Sequence, residues 1–262
     1  MAPFDLAQPA SLQEAIALLG AEGARPFAGG TALMLMMKAG VLRPHRLVSL
    51  HRLKLSSIET GSGRGLRIGA MTTLSALERS PEVRKGWPVI ARTLRTLSNV
   101  RVRNVATLGG ALAHADPHMD LPPLLSALGA KVLIHGRNGQ RAMPLEELYA
   151  GYLENTLKEG ELITHVEIPP LGKRGAAYLK CTTRSADDWP AVGVAVVLGE
   201  MRGDETRIFV SAATDRPTRI PDEAAIAGLT IEGDLHGSAG YKRQLLKVYL
   251  RRAIDEARNA SH

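Results

Sequence analysis

The chain has 262 residues, is 45% hydrophobic and carries a formal net charge of +7, enough apolar material for a real core spread over one or two domains. Its single cysteine, Cys181, excludes an internal disulfide framework, and it excludes an iron–sulfur cluster or a Cys-rich zinc site held by this chain alone. Aromatic content is only 4%, so aliphatic and alanine packing must dominate the interior.

Taken in order, Ser11-Leu12-Gln13-Glu14 is a capping-box pattern. It opens a helix with Leu12, Ala15, Ile16 and Leu19 at helical spacing and Gly20 at its end. Arg25-Pro26-Phe27 is extended and runs into a first glycine pair. Thr31 to Lys38 reads as a helix whose methionines, Met34, Met36 and Met37, are flexible core filler. Leu47 to Leu50 is a strand, closing a small αβαβ unit by about residue 55. A turn, Gly61-Ser62-Gly63-Arg64-Gly65, leads to a strand from Leu66 to Ala70, and Thr72 or Thr73 caps a short helix. Pro81 to Ser98 reads as a helix that Pro88 strains or splits. Leu121 to Leu128 is a helix, and Asn138-Gly139 is a favoured type I′ pair for a hairpin. Leu162 to Ile168 alternates as a strand and is ended by Pro169-Pro170.

Beyond that proline pair the character changes. Three strands, Ala176–Thr183, Ala191–Leu198 and Arg207–Thr214, are followed by a short helix and then a long one. Ser238 caps the long helix, which places Leu245, Val248, Tyr249 and Ile254 inward. Strands followed by helices indicate an α+β module with an antiparallel sheet. The domain organisation expected is 1–55, 56–172 and 173–262.

Two stretches carry the chemistry. Ala28-Gly29-Gly30-Thr31 and Thr107-Leu108-Gly109-Gly110 each set a glycine pair beside a threonine and lead toward an apolar segment. Such a loop offers close backbone approach, bare N–H groups and a hydroxyl to phosphate oxygens, and the two loops are expected to close on one dinucleotide. Neither matches the Rossmann or the P-loop pattern, and each alone reads equally as a tight strand-to-helix turn. Asp120 is either a helix N-cap or an acceptor for a ribose or adenine. His114 has no serine, cysteine or second histidine as partner, and Asp116-Pro117 reads as a turn. Lys180 either faces water or sets its ammonium beside a flavin or phosphate. Trp189 is read as a core anchor in preference to a ring near a flavin. No nucleophile elbow, paired-carboxylate site or metal-ligand spacing is present, so the chemistry of an enzyme here must come from a cofactor. The arginines are scattered without aromatic interleaving. They read as solvated faces or as a surface for an acidic partner or an anionic cofactor, not as a nucleic-acid site. MAPFDLAQPA lacks the regions of a signal peptide and no apolar run is long enough for a membrane span, so a cytoplasmic protein is expected.

The combination of AGGT (Ala28 to Thr31) with TLGGALAHADP (Thr107 to Pro117) resembles the FAD-binding medium subunit of molybdenum hydroxylases, the xanthine dehydrogenase and aerobic carbon monoxide dehydrogenase family. The resemblance runs on through Asp120, Glu161 to Pro169, Lys180, Arg184 to Trp189 and Asp234 to Tyr241, essentially the whole chain. It implies the two-subdomain flavin-binding fold of vanillyl-alcohol-oxidase-like (PCMH) type, followed by a C-terminal α+β domain with a three-stranded antiparallel sheet. It implies FAD, with Ala28, Gly29, Gly30, Thr31, Ala32 and Leu33 around the pyrophosphate and toward the flavin. Thr107, Gly109, Gly110 and Ala111 would form the opposite wall. Asp120 would hold the ribose–adenine side, Leu162 or Ile163 would lie against the isoalloxazine, and Lys180 near its polar edge. Ala111 and Ala32 stand where relatives carry polar residues, and Gly240 where a glutamate is usual.

The resemblance further implies a large subunit holding the molybdenum cofactor and a small one holding two 2Fe-2S clusters, in a dimer of heterotrimers. The function implied is passage of electrons from those clusters through FAD to an external acceptor. A self-contained flavin oxidase or a non-catalytic assembly scaffold are the alternatives.

Overall fold

The computed structural model describes residues 2–61, 63, 65–200 and 204–260; Ser62 and Arg64 of the expected glycine-rich turn lie outside the described residues. The chain begins with β1 (Asp5–Ala7), α1 (Leu12–Leu19), β2 (Ala24–Phe27), α2 (Leu33–Lys38) and β3 (Arg46–Ser49). The three strands form a parallel sheet in the order β1-β3-β2. The cap is made by Ser11 Oγ, which accepts from Glu14 N at 3.2 Å, while the Glu14 carboxylate reaches one residue past the cap and accepts from Ala10 N at 2.8 Å. Ala15, Ile16 and Leu19 are buried as their spacing predicts. The unit starts one strand earlier than expected, because β1 is three residues long and too exposed to leave a pattern.

A five-stranded antiparallel sheet follows, in the order β4-β5-β10-β6-β7. Its strands are β4 (Ile58–Gly61), β5 (Gly65–Gly69), β6 (Lys131–Gly136), β7 (Gly139–Pro144) and, in the centre, β10 (Leu162–Ile168). Six helices are inserted between β5 and β6: α3 (Leu74–Arg79), α4 (Pro81–Gly86), α5 (Pro88–Arg95), α6 (Val100–Val105), α7 (Leu108–His114) and α8 (Leu121–Ala127). Pro88 splits the expected single helix into α4 and α5 and takes the first position of α5, where a missing N–H costs nothing. Trp87 at the joint is buried and donates Nε1–H to Pro169 O at 2.9 Å. The β6–β7 turn is Arg137-Asn138, not Asn138-Gly139, because Gly136 pairs with Gly139. Neither turn residue has a positive φ, so the turn is not type I′; the glycine's freedom is used one position later, at φ +103°. A two-stranded ladder, β8 (Tyr149–Gly151) with β9 (Glu154–Asn155), borders the site.

The C-terminal part is a four-stranded antiparallel sheet, β11 (Ala176–Cys181), β12 (Val192–Val197), β13 (Arg207–Ser211) and β14 (Thr218–Ile220), in that order. The three-stranded expectation lacked β14, whose three residues behind Pro217 are too few to show a period. The long helix α9 (Ala239–Asn259) packs on β11 and β12. Its buried stripe is Lys242, Leu246, Leu250, Ala253 and Ala257, rotated from the expected one; Leu245, Tyr249 and Ile254 flank it and Val248 stays exposed. Small alanines let the helix approach the sheet. Lys242 is tolerated inside because its ammonium reaches Asp234 Oδ2 at 2.6 Å and Ala212 O at 2.9 Å. Ala176, Ala195, Val197 and Phe209 of this sheet share one buried cluster with α5, α8 and the central sheet.

Candidate functional site

The first glycine loop runs between β2 and α2. Gly30 takes a left-handed φ of +73°, which turns the chain sharply. At Gly29 the backbone presses on the α6–α7 connection: a Cβ there would sit 2.7 Å from the Val105 carbonyl carbon and 2.9 Å from Ala106 Cα. His51 Nε2 lies 3.1 Å from Ala28 O and steadies the loop's start. Among the described residues, the N–H groups from Gly29 through Leu33 and the Thr31 hydroxyl have no partner within the chain. Five consecutive free donors at a sharp turn are a ready-made anion cradle.

The second loop is built differently. Thr107 is the N-cap of α7, its Oγ1 accepting from Gly110 N at 3.3 Å. The next donors are also committed: Leu108 N to Thr72 O, Gly109 N to Ala70 O and Ala111 N to Thr107 O, at 2.8–2.9 Å. The expectation of bare N–H groups on both loops therefore fails for this one. Its glycines give proximity instead. Gly109 lets α7 lie on Ala70, where a Cβ would meet another Cβ at 2.6 Å, while Gly110 is exposed toward Ala28.

The two loops border one cavity of about 1100 Å³. Every residue expected at the site lines it: Ala28 to Leu33 on one wall, Thr107, Gly109, Gly110 and Ala111 on the next, and Asp120, Leu162, Ile163 and Lys180 deeper in. Leu162 and Ile163 are buried at the head of β10, beside a register shift in its pairing with β6.

Asp120 is neither a cap nor a free acceptor. Its backbone is helical and its side chain makes no capping bond. Instead Oδ2 accepts from Lys180 Nζ at 2.9 Å and Oδ1 from the Tyr178 hydroxyl at 2.7 Å, with the two ionic side chains 4% and 7% exposed. Lys180 also donates to Thr96 O at 2.8 Å and Asp188 O at 3.2 Å, so its ammonium is held by three acceptors. Burial pushes the Asp120 carboxyl above the usual carboxylate range, while Lys180 and Tyr178 pull it back. Burial and the adjacent Asp120 carboxylate push the Tyr178 hydroxyl well up.

A second polar cluster sits at the cavity edge. Asp116-Pro117 does form a turn, with Asp116 Oδ1 accepting from His118 N at 2.8 Å. The His118 ring lies between two carboxylates, Nδ1 at 2.9 Å from Asp116 Oδ1 and Nε2 at 3.2 Å from Asp234 Oδ2. Burial pulls this imidazole down, but the two carboxylates outweigh it and leave it raised. Burial also opposes the Asp116 carboxylate, and contact with His118 still brings it low. His114 lines the cavity with its basicity lowered by burial. Trp189 is not a core anchor: it is 49% exposed and stacks on His118 with ring centroids 5.3 Å apart. The strand lattice explains this, since Asp187 to Pro190 is the loop joining β11 to β12. Tyr178, His118 and Asp234 carried no site role in the sequence reading. Tyr178 and Lys180, two apart on one strand and so on one face, were the available signal.

The family described as the FAD binding domain in molybdopterin dehydrogenase matches residues 2–171. The chain belongs to this family. It is 29% identical to the glyceraldehyde dehydrogenase medium chain of Sulfolobus acidocaldarius over 97% of this chain and 98% of that one. It is 31% identical to the carbon monoxide dehydrogenase medium chain of Hydrogenophaga pseudoflava, over 97% and 96%. A solved structure of carbon monoxide dehydrogenase from that organism, lacking the Mo-pyranopterin moiety of its cofactor, superposes with a TM-score of 0.93 at 30% identity, covering 100% of both chains. This chain thus carries the FAD-binding domain of a molybdopterin dehydrogenase, an oxidoreductase component, on the fold of the medium chains.

Proposed function

We propose that the chain is the electron-transferring medium subunit of a three-part molybdenum hydroxylase, holding FAD in the cavity between the two glycine loops. The observation that carries this is the row of free N–H donors from Gly29 to Leu33, facing the close-packed wall of Thr107, Gly109, Gly110 and Ala111. The first loop would bind the pyrophosphate by its donors, and the second would close on it by shape. Asp120, through lone pairs left by Lys180 and Tyr178, would face the ribose–adenine side. Leu162 and Ile163 would pack on the ring system, and Lys180, bonded to Asp120 at 2.9 Å, would sit with it on the ribose–adenine side and not at the ring's polar edge. FAD supplies electron storage and transfer that no side chain here provides.

The partners would be a small subunit with two 2Fe-2S clusters and a large one with the molybdenum cofactor, in a dimer of heterotrimers in the cytoplasm. A single cysteine is consistent with clusters housed elsewhere. The division 1–55, 56–172 and 173–262 is supported by a family match ending at residue 171 and by separate clusters under α1 and under α9. Medium chains serving glyceraldehyde and carbon monoxide dehydrogenases both resemble this one, so the substrate would be chosen on the large subunit.

The test is titration of the purified chain with FAD. Binding at one flavin per chain is expected in the wild type and its loss in Gly110→Val, whose branched side chain fills the space between the loops. A wild-type chain with no affinity for FAD would refute the proposal. Co-purification without iron or molybdenum would refute the assembly.

A further inference from the structure

Three residues stand in a row across the C-terminal sheet: Lys180 on β11 pairs with Gly193 on β12, and Gly193 pairs with Ser211 on β13. The middle member has no side chain. Every residue of β12 is buried, so the gap at Gly193 has to be filled from a neighbouring strand. Tyr178 fills it. This tyrosine stands two residues before Lys180 and so on the same face of β11. Its ring tip leans over the glycine: a Cβ at Gly193 would sit 2.7 Å from the Tyr178 hydroxyl oxygen, 3.4 Å from its Cε2 and 2.6 Å from Ser211 Oγ. A side chain at this position would push the tyrosine hydroxyl out of its seat.

The seat matters because of what the hydroxyl touches. Asp120 lines the cofactor cavity and Tyr178 stands behind it, outside the lining. From there the hydroxyl donates to Asp120 Oδ1 at 2.7 Å, while Lys180 donates to Oδ2 at 2.9 Å. One donor on each oxygen, both delivered by one strand, fixes the plane of the carboxylate and leaves each oxygen further lone pairs. Among the described residues, Tyr178 is the one donor to Oδ1. Burial opposes the Asp120 charge, and Lys180 and Tyr178 are the titratable groups that favour it. His114, Asp116 and His118 on the connection ahead of α8, and Asp187 and Asp188 in the β11–β12 loop, line the same cavity.

We propose that Tyr178 is a positioning residue for the dinucleotide: its hydroxyl, seated in the gap that Gly193 leaves in β12, aims the Asp120 carboxylate at a donor group of the bound cofactor. The inference rests on the proposed flavin role of the cavity. Lys180 alone would hold one oxygen and let the carboxylate swing about that contact, at a cost in order each time the cofactor binds. The second donor removes that freedom in advance. It also sets the acid limit of binding. A protonated Asp120 loses its strength as an acceptor, so affinity falls as pH drops through the carboxyl's value, and the Tyr178 bond holds that value down. Gly193 belongs to the same device without touching the cofactor, because only a residue lacking Cβ leaves room for the hydroxyl.

The test is titration of the purified full chain with FAD from neutral to acid pH, for wild type, Tyr178→Phe, Gly193→Ala and the double variant. Tyr178→Phe keeps the ring and removes one oxygen. It should bind FAD about tenfold more weakly at neutral pH, the worth of one hydrogen bond to a charged group. The acid limb of its affinity should move to higher pH by on the order of one unit. Gly193→Ala should shift both in the same direction, and the double variant should be no worse than Tyr178→Phe, since the added methyl acts through a hydroxyl that is no longer there. A purely structural role for Tyr178 would lower stability and leave the acid limb in place. An unchanged dissociation constant in Tyr178→Phe, or an unmoved acid limb, overturns the positioning role while leaving the flavin reading intact, and Tyr178→Phe decides this even if Gly193→Ala disturbs the sheet. Additive losses in a folded double variant overturn the link to Gly193. Absence of FAD binding by the wild type at every pH overturns both readings.

Discussion

Replacing Asp120 by asparagine tests the deepest part of the site. Asp120 and Lys180 form a nearly buried pair at the wall of the cavity, so the mutation leaves an ammonium with little access to water and no counter-charge. Removal of one partner of such a pair costs about 3–5 kcal/mol. Two carbonyls, Thr96 O and Asp188 O, continue to accept from Lys180, which places Asp120→Asn at the low end, about 3 kcal/mol. Lys180→Met should cost a similar amount at neutral pH, with a distinctive pH dependence. Burial already raises the Asp120 carboxyl, and without Lys180 it rises further. The folded state then binds a proton more readily than the unfolded one, so stability is greatest at acid pH and is lost as pH climbs through the raised value. The double variant Asp120→Asn/Lys180→Met should fall short of the sum by about 2 kcal/mol, the coupling between neighbours. Urea unfolding followed by tryptophan fluorescence measures all three. A single Asp120→Asn within about 0.5 kcal/mol of wild type, or strict additivity in the double variant, would refute the buried-pair argument.

Gly29→Ala should cost about 1–3 kcal/mol, because its Cβ meets backbone at Val105 and Ala106 and no flexible tip can move aside; thermal unfolding and FAD titration should both report the loops forced apart. His118 gains two carboxylate partners on folding and its imidazole is raised, so its stabilisation is fully present below the ordinary histidine value near 6.5 and is lost as pH rises through the folded value. The stacked Trp189 should report that titration as a fluorescence change above pH ~6.5, and His118→Gln should abolish it. Lys242→Met removes the ammonium that ties α9 to the exposed Asp234 and to Ala212 O, and should lower stability by about 1 kcal/mol in calorimetry; an unchanged transition would mean that the tie contributes nothing.

By itself the sequence determined what is local or repeated along the chain. The Ser11 cap, the Pro88 break, the β10 and β12 strands and the two Gly-Gly-Thr neighbourhoods each follow from a few adjacent residues, and the family resemblance came from their order. Tertiary structure decided the rest. Gly29–Gly30 and Gly109–Gly110 look alike as text, yet only the first keeps free donors. The second has spent its N–H groups on Thr72 and Ala70, partners that packing brings from outside the motif, and on its own Thr107. Asp120 became the counter-ion of Lys180, sixty residues away, because β11 delivers that lysine to the start of α8. Trp189, apolar enough for a core, was left at the surface because a loop carries it and His118 offers a ring to stack on. Hydrogen-bond satisfaction and burial are properties of the assembled chain, so a motif can mark where the backbone comes close but not which of its polar groups remain free to act.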